Sequence, residues 1–128
     1  MKVIVLNGPS NSGKTTTLHE LYKYLVSAGA YDIDSPQVHP LDGRDSIYYV
    51  QYRGKRIGIV TLGDYATETV FQIGVFLSKG ADTLVIANSC KAFPHTLISW
   101  HTDVLKCVII QKNNIHEKGK VQEIVANI

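Results

Sequence analysis

The chain has 128 residues, 45% of them hydrophobic and 19% charged, with a net charge of +2. That length fills one domain (1–128) around one core, and the balance excludes intrinsic disorder. The basic residues are scattered, with no lysine and arginine stripe interleaved with aromatics, so no nucleic-acid partner is implied. No apolar run reaches membrane-spanning length, and the apolar start is too short for a secretory signal. Cys90 and Cys107 lack metal-ligand or redox spacing. A cytoplasmic protein with reduced thiols, free of the membrane, is expected.

Met1 to Leu6 is a β-branched apolar run that reads as a buried strand. After a glycine-rich stretch, Leu18, Leu21, Tyr22 and Leu25 recur at helical spacing, predicting a helix over Lys14–Ala28 that stops at Gly29. Ala30–Asp45 carries Asp, Pro and His without periodicity and reads as a long loop, the candidate specificity element. Ile47–Tyr52 and Lys55–Leu62 flank Arg53-Gly54 and predict an antiparallel hairpin. Ala66–Lys79 is the second helix, closed by Gly80. Thr83–Ala87 is a wholly apolar strand of the parallel type. Pro94 opens a short helix reaching about His101, Leu105–Ile110 is another buried strand, and Val121, Ile124, Val125 and Ile128 stripe a final helix.

Between the first strand and first helix stands Gly8-Pro9-Ser10-Asn11-Ser12-Gly13-Lys14-Thr15, a full G-x-x-x-x-G-K-[ST] loop. A strand delivers it and it opens a helix. Backbone N–H groups from Gly8 to Thr16 can then curl around an anion, with the positive end of the helix dipole behind them. On these residues the chain resembles the P-loop NTPases. That resemblance implies a three-layer α/β fold, with about five mostly parallel strands and helices on both faces. Numbering the predicted strands along the chain, the expected order is 2-3-1-4-5, with strand 2 antiparallel.

The resemblance also implies roles. Gly8, Asn11, Ser12, Gly13, Lys14, Thr15 and Thr16 would bind nucleotide, with Lys14 on the β- and γ-phosphates and the Thr15 hydroxyl on Mg²⁺. Asp64, following the apolar run Ile57–Leu62 after Gly63, is the candidate second metal ligand, and it also suits the N-cap of the next helix. Glu68, one turn further, is the candidate general base. Asn88 ends its strand where ligands gather and resembles the polar sensor that some ATPases place beside the γ-phosphate. Lys91 and His95 are loop candidates for substrate contact. The five histidines show no helix spacing for a metal site.

Gln111-Lys112-Asn113-Asn114 is similar to the N-K-x-D of P-loop GTPases but differs at both specifying positions. The amide of Asn114 would oppose a guanine donor, a mismatch that costs about 1–3 kcal/mol when buried. The nucleotide expected is therefore ATP, with GTP left open. Nucleotide kinases clamp the transferring phosphoryl group with arginines, and this chain has only Arg44, Arg53 and Arg56. The reading is Mg²⁺-dependent ATP binding with hydrolysis. The alternatives are a small-molecule kinase, with Arg44 as an internal finger, a nucleotide-dependent switch that presents Ala30–Asp45 to a protein partner, and a degraded NTPase that binds nucleotide for stability with little turnover.

Overall fold

A computed structural model describes residues 1–9, 12–38, 46–61, 66–89 and 106–128. Within them the chain forms β1 (Lys2–Asn7), α1 (Lys14–Ser27), β2 (Tyr31–Val38), β3 (Ser46–Tyr52), β4 (Lys55–Val60), α2 (Ala66–Ser78), β5 (Thr83–Asn88), β6 (Lys106–Gln111) and α3 (Lys120–Asn127). The six strands make one mixed sheet in the order β2-β3-β4-β5-β1-β6. β4, β5, β1 and β6 are mutually parallel, whereas β3 runs antiparallel to both β2 and β4.

Alternation along the strands builds two cores. Ile4, Leu6, Ile57, Ile59, Val85 and Ala87 face α1 and α3, against Leu18, Leu21, Leu25 and Ile124. Val3, Val5, Val60, Leu84 and Ile86 face the other way, against Ile73 and Phe76 of α2. Helices therefore cover both faces, as expected for strands apolar on both sides. α1 and α2 end at the expected glycines. After α1, Gly29 N bonds to Val26 O and Ala30 N to Leu25 O; after α2, Gly80 N bonds to Leu77 O and Ala81 N to Phe76 O. These are paired Schellman closures.

Two expectations are corrected. The expected order, 2-3-1-4-5, inserted the glycine-loop strand between the second hairpin strand and the strand ending at Asn88. Instead β4 and β5 pair directly, from Ile57↔Thr83 to Val60↔Ile86, and β1 lies beyond, between β5 and β6. Consecutive elements favour adjacent places, and Gly58 lies on this seam. A Cβ there would lie 2.6 Å from the Phe76 ring and 3.0 Å from Leu84 Cδ1. The missing side chain leaves a slot over the β4–β5 seam that Phe76, fully buried, fills. α2 is thereby seated where it joins nearest neighbours.

The second correction concerns Ala30–Asp45, much of which is not loop. Tyr31–Val38 is a sixth strand, paired antiparallel with β3 from Tyr31↔Gln51 to Val38↔Ser46. Its Asp- and Pro-rich composition concealed it. An edge strand tolerates Pro36 because one side needs no hydrogen bonds, and the register slips between Asp32 and Asp34 and again before Gln37 absorb the misfit. The helix expected at Pro94–His101, together with Lys91 and His95, lies outside the described residues.

β2 is also tied to α1. Tyr22 stacks on Tyr48 of β3 at 3.9 Å between ring centroids, and Tyr48 Oη lies 2.7 Å from His19 Nδ1. The Tyr22 hydroxyl donates to the Asp32 carboxylate at 2.9 and 3.0 Å. Burial, then the hydrogen bond and the negative charge of Asp32, push the Tyr22 phenol up to about 12.

Two measurements check these points. Gly58→Ala relieves a flexible strand residue, which alone would stabilise, yet the Phe76 collision should dominate. Urea unfolding should show a loss of about 1–3 kcal/mol; an unchanged midpoint would show the slot to be loose. Tyr22→Phe should cost about 1 kcal/mol near neutral pH. Because the folded phenol holds its proton more tightly than the unfolded one, this difference should persist below pH 10 and fade as pH rises towards the folded value of about 12. Denaturation at pH 8 and at steps above 10 measures it.

Candidate functional site

The parallel strands β5, β1 and β6 finish level with one another, with Asn88, Asn7 and Gln111 at matching positions. Open parallel sheets gather ligands at this edge. The glycine loop rises from its middle strand. Gly8 N donates to Asn88 O at 3.1 Å on one side, and Lys112 N donates to Asn7 O at 2.8 Å on the other. Gly8 lies so close to the Lys112 carbonyl that any Cβ would overlap it. Gly13 adopts the left-handed backbone (φ 83°) as the residue before α1, with no side-chain cap on the helix N-terminus. Helix N-termini without a side-chain cap are general places for anions to bind.

Lys14 occupies the centre. It is 6% exposed, and its ammonium donates to Gly8 O at 3.0 Å, Pro9 O at 2.6 Å and Ser12 Oγ at 3.3 Å. Gly8, Pro9 and Ser12 thus hold a buried cation. Ser12 is buried as well, and its N–H reaches Pro9 O. Thr15 Oγ1 points to the end of β4, 3.5 Å from Thr61 O, a long contact that leaves the hydroxyl weakly engaged. Thr61 itself is fixed by Ser46, accepting from its N–H at 2.8 Å and donating to its carbonyl at 3.2 Å. Thr16 is exposed at the rim, whereas Thr17 folds its hydroxyl back onto Gly13 O at 2.9 Å.

Beyond Gly13 the wall is the segment after β6. Lys112 is 3% exposed, and its ammonium donates to Asn114 O at 2.9 Å and Glu117 O at 3.2 Å. Its Cε lies 3.3 Å from where a Gly13 Cβ would stand. Asn113 N donates to Glu117 Oε1, and His116 N donates to Asn114 Oδ1, both at 2.9 Å. The Asn113 hydrogen bond, then the positive charges of Lys120 and Lys112, hold the Glu117 carboxyl below its usual value despite some burial. Between this turn, α1 and the start of α3 lies a groove of about 520 Å³, with Thr16, Tyr24 and Ile115 among its lining. Ile115 is 64% exposed.

Gly8, Ser12, Gly13, Lys14, Thr15, Thr16 and Asn88 therefore converge at one edge, as their order in the chain suggested. Asn11 and Asp64 lie outside the described residues, as does Arg44. Glu68 falls in the first turn of α2, with its side chain outside them. Lys112 lies along the loop beside Gly13, while Asn114 spends its side-chain oxygen inside its own turn. Asn7 escaped the sequence reading, and Gln111 entered it only as a departure from N-K-x-D. The signal available was a polar residue closing each apolar strand, which is equally the mark of an ordinary strand end. No protein-family model, curated protein or solved structure matches the chain.

Proposed function

We propose that this chain is a P-loop NTPase that binds Mg²⁺–ATP at Gly8–Thr16 and hydrolyses it. The observation carrying this reading is the buried Lys14 ammonium, held by its own loop's carbonyls at an uncapped helix N-terminus. Burying a cation is costly unless it is well partnered. A loop that does so beside a positive dipole end is built to meet a polyanion. The support is local to the loop, not drawn from strand order.

In this reading the N–H groups of the loop and Lys14 grip the β- and γ-phosphates. The nucleoside lies in the groove beside Gly13, against the apolar faces of Ile115 and Tyr24, with Lys112 beneath. ATP is the nucleotide proposed, since Asn114 carries no carboxylate for guanine. Thr15 and Asp64 would hold Mg²⁺, and the weak engagement of the Thr15 hydroxyl fits a ligand that must turn towards a cation. The ion supplies charge neutralisation at the γ-phosphate. Glu68 is the proposed acceptor of the attacking water's proton as the new P–O bond forms and ADP departs with the bridging oxygen.

Hydrolysis is favoured over phosphoryl transfer by the arginines. Arg53 sits in the β3–β4 turn, and Arg56 N bonds to Asp82 just before β5. Both belong to the edge of the sheet opposite the loop, where β4 and β5 begin. No arginine among the described residues can clamp a donor phosphate.

Two variants test the reading. Lys14→Ala should lower ATP affinity at least about a hundredfold by calorimetry, while unfolding stays cooperative. Wild-type affinity would refute the phosphate site. Asp64→Asn should weaken Mg²⁺-dependent ATP binding about tenfold or more, with metal-free binding within about twofold. A loss of about 1 kcal/mol in stability alone would instead make Asp64 a helix cap.

A further inference from the structure

Beneath the loop the three strand-end amides form one directional chain. Asn88 Nδ2 donates to Asn7 Oδ1 at 2.9 Å, and Asn7 Nδ2 donates to Gln111 Oε1 at 2.8 Å. All three stand in register on neighbouring parallel strands, so the row crosses about 10 Å of sheet at ordinary strand spacing. Asn7 is 9% exposed and Asn88 2% exposed. Asn7 uses both ends of its carboxamide, and neither bond survives a rotation of that group. The main chain repeats the tie through Gly8 N on Asn88 O and Lys112 N on Asn7 O.

The ends of the row differ. Asn88 closes β5, which lies between the loop strand and β4, whose end meets Thr15 through Thr61. In the ATP reading this is the metal side. Gln111 precedes Lys112, whose side chain runs under Gly13 towards the groove. In the same reading this is the nucleoside side. Asn7 sits between them and immediately before the loop.

We propose that Asn7, held by Gln111, is a positioning residue that fixes the Asn88 carboxamide on the metal side and so lets the site distinguish a triphosphate from a diphosphate. This rests on the ATP reading above. Asn7 touches no phosphate in this account; it acts through Asn88. With Asn7 shortened, the Asn88 amide loses the acceptor it has on β1, and contacts made by the loop to the α- and β-phosphates remain.

The test compares binding of Mg²⁺–ADP and a Mg²⁺-bound non-hydrolysable ATP analogue by calorimetry, with melting recorded for each protein. Asn7→Ser should reduce the preference for the triphosphate about five- to tenfold, with ADP affinity within about twofold of wild type. Gln111→Leu, at an exposed position on the edge strand, should act in the same direction by about threefold, and it serves if Asn7→Ser does not fold. Gln111→Glu keeps an oxygen to receive the Asn7 amide and should retain the wild-type preference. If both disruptive variants lower melting but leave the preference unchanged, the row is only a structural tie and the proposal is overturned. If wild type binds neither nucleotide, the ATP reading itself fails, a result distinct from an unchanged preference.

Discussion

The loop's base depends on a close approach between two pieces of backbone. Gly8 lies against the Lys112 carbonyl while its N–H reaches across to Asn88 on the opposite side. The first residue of the loop is thus wedged between two strands that flank its own. Only a residue without a side chain fits, because rigid backbone cannot give way as the end of a lysine or methionine would. From this wedge the rest follows. The loop leaves the sheet at a fixed angle, Lys14 is turned inward, and the segment after β6 becomes a wall of the groove.

α1 carries the consequences outward. Its start frames the phosphate loop, its middle buries Leu18, Leu21 and Leu25 against the sheet, and its outer flank reaches β3 and β2 through His19 and Tyr22. Apolar burial of this kind contributes roughly 1.5–3 kcal/mol per large side chain, against about 1 kcal/mol for each polar tie. The packing therefore holds the helix, and the hydrogen bonds choose its alignment. On the other face, Phe76 in the Gly58 slot does the same for α2.

Much of this was legible in the sequence because it is local. Periodicity at Leu18, Leu21 and Leu25 marks a helix, and alternation at Val3 to Leu6 serves two faces. The two glycines of the loop mark a close backbone approach at Gly8 and a left-handed residue at Gly13. Strand order was not legible, since β1 and β5 are equally apolar and either could lie beside β4. The contact between Gly58 and Phe76, eighteen residues apart, seats α2 on β4, and it is visible only when the helix is laid on the strand. β2 was hidden for a different reason: an edge strand needs few of the features by which strands are recognised. The amide row was hidden because three isolated polar residues acquire a joint role only through register.

The Lys14 ammonium has one further consequence. Its dehydration is completed when the chain folds, since carbonyls from Gly8 and Pro9 have already replaced water around it. An arriving anion would exchange one set of oxygens for another, with little solvent to strip from the cation. The desolvation left to the binding step then belongs mostly to the ligand and its counter-ion, which is the thermodynamic meaning of a preorganised receptor.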